Sequence, residues 1–261
     1  MKSIKSKVRK FAATLGYDII RKHYPAHSES VNFDALLAQV AASTMLPRAR
    51  LVSLYEQVAH CQLSGIEGAL VECGVWRGGA VGLMALTVQS NPGPQRTLHL
   101  FDSFQDICAP DPQLDGQTAM MATQGQAPTA ASEIKPMVGF YDDVGGHGTL
   151  QACQELLEQK IGYAPSLIKF HTGWFQDTVP TQAADIGPIA VLRLDGDWYA
   201  STKVCLDHMY DQVSNGGFII IDDYGTYEGC RLAVDEFLSL RQLHPFLNRV
   251  DASCYYIIKS T

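Results

Sequence analysis

The chain has 261 residues, 46% of them hydrophobic and 18% charged, enough to bury the continuous core of one large α/β domain. Twenty Lys and Arg against twenty-seven Asp and Glu leave a net charge of −7, which disfavours broad binding to nucleic-acid phosphates. Seven scattered cysteines without a C-x-x-C, and eight histidines without H-E-x-x-H, argue against a disulfide framework or a zinc knuckle and for reduced thiols in a cytoplasmic setting.

The first ten residues carry five cations but no uninterrupted apolar stretch, so a signal peptide is not expected. No segment approaches the roughly 20 apolar residues of a membrane-spanning helix. A solvated basic helix packing on the domain or on a neighbouring subunit is expected there instead. Residues 34–62 read as helical with a break at Pro47, so residues 1–65 form an N-terminal helical region ahead of a core spanning 66–261. GALVECG (68–74) is a short buried strand, AVGLMALTVQ (80–89) a helix ended by NPGP, and TLHLFDSF (97–104) a second strand. Residues 105–148 have weak periodicity and many turn residues, as in a lid or substrate-binding insertion. After them come a helix (149–162), a strand with its exit loop (166–175), a strand (189–195), a helix (201–213), a strand (216–224) and a helix (230–243). Residues 246–260 carry the β-branched and aromatic content of two closing strands. This alternation predicts an α/β fold: a mostly parallel, doubly wound sheet with helices on both faces and an antiparallel C-terminal strand.

In such a sheet ligands bind beyond the carboxyl ends of the strands. The first strand ends in ECGVWRGG, offering Glu72, Gly74, Gly78 and Gly79; the glycines let a backbone turn sharply and approach a ligand. Asp102 ends the second strand, where an acid can hold both ribose hydroxyls of a nucleoside or serve as a turn residue. Gly173 and Trp174 end the third and could frame an adenine ring, although a lone Trp is more often core. The fourth strand runs into Asp195 and Asp197, the fifth into Asp222 and Asp223. If these strands are neighbours, three or four carboxylates converge, and hard oxygen ligands in that number suit Mg²⁺ or a similar divalent cation. A purely structural acid cluster is the alternative.

A nucleoside site without a G-x-x-x-x-G-K-[ST] motif argues against ordinary phosphoryl transfer and for S-adenosylmethionine as a methyl donor. The cation would polarise an acceptor hydroxyl, with Asp197 as candidate general base.

The combination VECGVWRGGA, LFDSF, HTGWFQDTVP, LRLDGDWYAST and GGFIIIDDYGTYEGCRLAVDEF resembles the macrocin O-methyltransferase family over roughly residues 35–258. The resemblance implies a Rossmann-like class I methyltransferase core, S-adenosylmethionine as donor and dependence on Mg²⁺. It implies Asp195, Asp222 and Asp223 as metal ligands and Asp197 as base. Glu72, Gly74, Arg77, Gly78 and Gly79 match the donor loop, Asp102 and Ser103 the ribose region, and Trp174 the segment over the adenine. It further implies a small-molecule hydroxylated acceptor, a sugar on a glycosylated natural product, and a homo-oligomer such as a dimer. A catechol-type acceptor, a nicotinamide dehydrogenase and a non-catalytic donor-binding protein are the competing readings. The 105–140 stretch lies outside the motifs that carry the resemblance, and acceptor choice is expected to lie there.

Overall fold

The computed structural model describes residues 33–125, 134 and 136–260. The basic N-terminal segment therefore lies outside the described residues. Residues 33–261 fall in one compact unit. Strands β1 (Ala69–Cys73), β2 (Leu98–Asp102), β3 (Ile168–Thr172), β4 (Ile189–Leu194) and β5 (Val213–Ile221) form a parallel sheet. It is continued by the antiparallel hairpin of β6 (Asn248–Arg249) and β7 (Tyr255–Ile258) in the order β3-β2-β1-β4-β5-β7-β6. Strands β1 and β4 are buried along their whole length, as a parallel sheet covered on both faces requires.

Helices α1 (Phe33–Val40), α2 (Arg48–Leu63) and α3 (Gly79–Ser90) pack together on one side, with α2 against β4. Helix α1 ends in a 3₁₀ turn, Ala41–Ser43, and α2 begins after Pro47, whose fixed φ suits a helix start. The other face is covered by α6 (Phe175–Gln182), α7 (Tyr199–Met209) and α8 (Glu228–Leu240), which bury Val179, Leu206 and Phe237 against Val71, Leu192 and Ile219. Helix α6 falls between the strand exit (166–175) and the next strand (189–195), where the sequence predicts no element. Its sequence FQDTVPTQ is polar with Pro180 inside, a composition that reads as a turn until packing against α7 compensates.

The 105–148 segment is sewn onto the core. It contains α4 (Gly116–Ala122) and an isolated bridge from Cys108 to Pro136. Trp198 Nε1 donates to the Cys108 carbonyl at 2.8 Å, and the Tyr199 N–H donates to Asp115 Oδ1 at 2.6 Å. Thr118 Oγ1 donates to Glu228 at 2.8 Å. Helix α5 (Leu150–Gln154) then runs on into a π-helical stretch, Glu155–Lys160. Among the described residues, no helix is long and apolar enough to cross a membrane.

Candidate active site

Register brings the strand ends level. Cys73 pairs with Leu194 and Leu194 with Ile221, so Gly74, Asp195 and Asp222 leave the sheet side by side. The ladder continues one step further: the Asp195 N–H donates to Cys73 O at 2.8 Å and the Asp222 N–H to Leu194 O at 2.9 Å. Gly74 must lack a side chain. Its φ is +90°, and a Cβ there would lie 1.8 Å from the Asp195 carbonyl oxygen.

Because side chains alternate across a sheet, Arg193 shares a face with Asp195, and its register partner Glu72 lies beside it. Arg193 is buried, and one guanidinium nitrogen donates to Glu72 Oε1 at 2.6 Å and to Asp195 Oδ2 at 2.8 Å. The other donates to Asp222 Oδ1 at 2.6 Å. From α2, Arg50 donates to the remaining oxygen of Asp222 and, at 2.7 Å, to Asp251 at the tip of the β6–β7 hairpin. Burial works against the charge on Arg193, but Asp195, Asp222 and Glu72 outweigh it and hold its pKa well above the ordinary value. Burial likewise pushes Glu72 up to about 8 in spite of Arg193.

Two guanidiniums thus meet a cluster of five carboxylates: Glu72, Asp195, Asp197, Asp222 and Asp223. Asp223 is 7% exposed and its Oδ2 is buried with no hydrogen-bond partner. Its pKa is raised well above the carboxylate range by burial and by the charges of Asp197, Asp195 and Asp222. Asp195, Asp222 and Asp223 can each offer an oxygen within 4.8 Å of the others. The residues present therefore fit a hard divalent cation: three carboxylates that can each bring an oxygen to one point, among them Asp223 with an unpartnered oxygen.

Asp197 stands beside this group at φ +59°, an unusual conformation for a residue other than glycine, of the kind that clusters at functional sites. Burial first, then the charges of Asp195, Asp222 and Asp115, push its carboxyl up to about 8. It lines a cavity of about 400 Å³, bordered also by Gly74, Trp76, Asp102, Ser103 and Trp174 on the glycine-loop side. Phe140, Tyr141 and Val144 close it from the 105–148 segment, which thus forms part of the cavity wall. Burial and the charges of Asp197 and Asp195 raise the Tyr141 phenol well above its ordinary pKa, so this side chain stays neutral in the cavity wall.

Asp102 holds the loop after β1. Its Oδ2 accepts the N–H groups of Val75 at 2.6 Å and Trp76 at 3.0 Å, and its Oδ1 that of Phe104 at 2.7 Å. With two N–H groups on Oδ2 and one on Oδ1, the lone-pair capacity that remains is on Oδ1. Ser103 Oγ accepts from Gln105 N at 3.2 Å. Gly173, at φ +143°, donates its N–H to Asp102 O, and Trp174 caps α6 with its ring on the cavity. Gly78 is left-handed at φ +81°, and a Cβ on Gly79 would lie 2.4 Å from the Ser43 carbonyl, so these two glycines serve the packing of α3. Glu72 borders a smaller adjoining cleft with Arg50, Arg193 and Thr44. Trp76 lines the cavity, and its Nε1 is buried without a hydrogen-bond partner.

Arg77 turns away from that cavity: its Nη2 lies within hydrogen-bond distance of three consecutive carbonyls, Val144, Gly145 and Gly146. Sequence reasoning missed Arg193, Arg50, Tyr141 and Trp76. For Arg193 a signal exists, a lone arginine within a strand otherwise apolar from Ile189 to Leu194.

The macrocin O-methyltransferase family model (Macrocin-O-methyltransferase, TylF) matches residues 5–134 and 154–259. The chain is 34% identical over 218 residues to demethyldecarbamoylnovobiocin O-methyltransferase of Streptomyces niveus, covering 82% of this chain and 75% of that one. It is 31% identical over 215 residues to mycinamicin III 3''-O-methyltransferase of Micromonospora griseorubida, covering 82% and 78%. The solved structure of the O-methyltransferase NovP superposes with a TM-score of 0.67 at 31% identity, covering 84% and 83% of the two chains. A calicheamicin methyltransferase, CalS11, shares the fold at a TM-score of 0.59 and 18% identity, covering 92% and 95%. A class I fold, a cavity at the carboxyl ends of its strands and a match along most of the sequence converge on one conclusion. The chain belongs to the macrocin O-methyltransferase family and is an S-adenosylmethionine-dependent O-methyltransferase.

Proposed function

We propose that this chain methylates a sugar hydroxyl of a glycosylated natural product, with a divalent cation, Mg²⁺, held by Asp195, Asp222 and Asp223 and with Asp197 as general base. The observation that carries the metal half is the unpartnered, buried Asp223 Oδ2 among three converging acids. The acceptor half draws support from relatives named for novobiocin, tetracenomycin and mycinamicin substrates, two of them with the sugar position in the name.

On this reading Trp174 lies against the adenine, and Asp102 and Ser103 face the ribose. Glu72, Gly74, Gly78 and Gly79 shape the wall near the donor's amino-acid tail. The cation, when bound, supplies a Lewis acid that lowers the pKa of an acceptor hydroxyl. Asp197 lines the cavity, where its carboxylate can accept that hydroxyl's proton. Trp198, Tyr227 and Tyr141 narrow the cavity around it and limit water. Positioning of acceptor oxygen and donor in one small space then carries much of the rate. Residues 1–65 are proposed to contribute to the acceptor pocket and to self-association. Met45, on the α1–α2 connection, already borders the cavity.

The test is turnover of S-adenosylmethionine with demethyldecarbamoylnovobiocin, mycinamicin III and a simple catechol, each with Mg²⁺ and with EDTA. Methylation of a glycoside that EDTA abolishes is expected. Turnover of the catechol alone would remove the sugar reading, and EDTA-resistant turnover would remove the metal. Light scattering of the full chain checks the oligomer, and a monomer at all concentrations would refute it.

A further inference from the structure

Arg77 belongs to the β1–α3 loop, yet its guanidinium is spent on the far side of the cavity. Nη2 reaches the Val144 carbonyl at 3.2 Å, that of Gly146 at 3.0 Å and that of Gly145 between them. The guanidinium carbon lies 4.4 Å from the centre of the Trp76 ring, so the indole fixes its plane. The two backbones touch as well. A Cβ on Gly148 would lie 1.7 Å from the Trp76 carbonyl oxygen, and Cys153 Sγ approaches that oxygen at 3.4 Å.

The gripped turn is itself built to present carbonyls. Gly145 and Gly146 are both left-handed, at φ +86° and +92°, and the N–H groups of Val144 and Gly146 fold back onto the Tyr141 carbonyl. Tyr141, at the head of this turn, lines the same cavity as Asp195 and Asp197. At the other end, Asp102 grips the Val75 and Trp76 amides. An unbroken chain of contacts therefore runs from Asp102 through Trp76 and Arg77 to the 144–146 turn and Tyr141.

We propose that Arg77 is a positioning residue that fixes the acceptor-side wall, residues 141–148, onto the donor loop, and that it does not itself hold the donor. This inference takes from the proposed function only the assignment of the glycine loop to the donor side and of Tyr141 to the acceptor side. Filling the donor side then stiffens Trp76 and, through Arg77, orders the wall against which the acceptor packs.

Hydrogen exchange of the full chain tests this without any acceptor. Arg77→Ala is expected to speed exchange of the 141–148 amides about tenfold or more while leaving distant core strands protected. Calorimetry should find the Kd for S-adenosylhomocysteine within about threefold of wild type, since no donor contact is removed. In the wild type, S-adenosylhomocysteine should slow exchange at 141–148 as well as at 75–79. With whichever glycoside the wild type turns over, Arg77→Ala should raise the acceptor KM about fivefold or more and leave kcat within about twofold. If Arg77→Ala does not fold, Arg77→Lys, which keeps the charge but loses the flat stack and the second nitrogen, should show the same pattern in weaker form. Unchanged exchange at 141–148, or a Kd for S-adenosylhomocysteine that rises as much as the acceptor KM, overturns the proposal. Failure of the wild type to bind S-adenosylhomocysteine would instead strike the proposed function, and the exchange comparison between variants would still decide the role of Arg77.

Discussion

Arg193 and Asp223 are opposite cases among the buried charges. Arg193 serves three carboxylates at once, so Arg193→Met strands Glu72 and Asp195 without their cation and leaves Asp222 with Arg50 alone. A loss of about 3–5 kcal/mol of stability is expected, the usual cost of removing one side of a buried ion pair. Asp223 has an unpartnered oxygen and sits among like charges, so Asp223→Asn relieves repulsion without breaking an ion pair. Denaturant titration without metal should find it at least as stable as the wild type; a loss comparable to that of Arg193→Met would contradict the charge assignment. Asp197→Asn keeps the shape of the cavity but removes the proton acceptor. Turnover should fall about 10²- to 10⁴-fold with the Kd for S-adenosylhomocysteine nearly unchanged. Normal turnover would show that the base lies elsewhere.

At the level of elements, the β2–β3 edge carries its own titration. His99 on β2 and His171 on β3 stack with ring centres 5.2 Å apart, and their nitrogens meet at 3.0 Å. Burial first, then the charges of His171 and Lys169, bring the pKa of His99 down to about 4. An unfolded histidine titrates near 6.5, so the folded state binds this proton less readily than the unfolded chain does. The edge is therefore fully stable above about pH 6.5 and loses stability as the pH falls toward 4. The melting temperature of wild type minus that of His99→Phe should shrink between pH 7 and pH 4.5; a constant difference would show that the pair is not responsible. Further along the chain, α6 illustrates how an element escapes local reading. FQDTVPTQ has neither a strong apolar stripe nor a clean interior, and only Thr178 and Val179 are buried against the sheet side.

Over the whole molecule, a cation bound where β4 and β5 end would tie the ends of these two neighbouring strands to one point. Binding confined to the folded state stabilises by about 2.7 kcal/mol at a hundredfold excess over Kd. Added Mg²⁺ should therefore raise the melting temperature of the wild type and leave that of Asp223→Asn unmoved. An equal response in both would place the ion elsewhere.

The order of strands and helices was legible because buried parallel strands are short unbroken apolar runs and the covering helices have their own period. VLRLDGD and FIIIDD likewise announced acids at strand ends, since no residue inside such a run has reason to be charged without a partner. What the chain alone left open was that partner. A cation was expected from outside, and the fold supplies Arg193 from within the same strand and Arg50 from 172 residues away, alongside whatever ion the remaining acids hold. Arg77 carried the same ambiguity, placed by its motif in the donor loop and by the fold on the 144–146 carbonyls. Periodicity along a sequence fixes which face a residue takes, because it depends only on local backbone geometry. Which charges meet on that face depends on register and on how a distant helix or loop docks, and only the packed tertiary structure decides that.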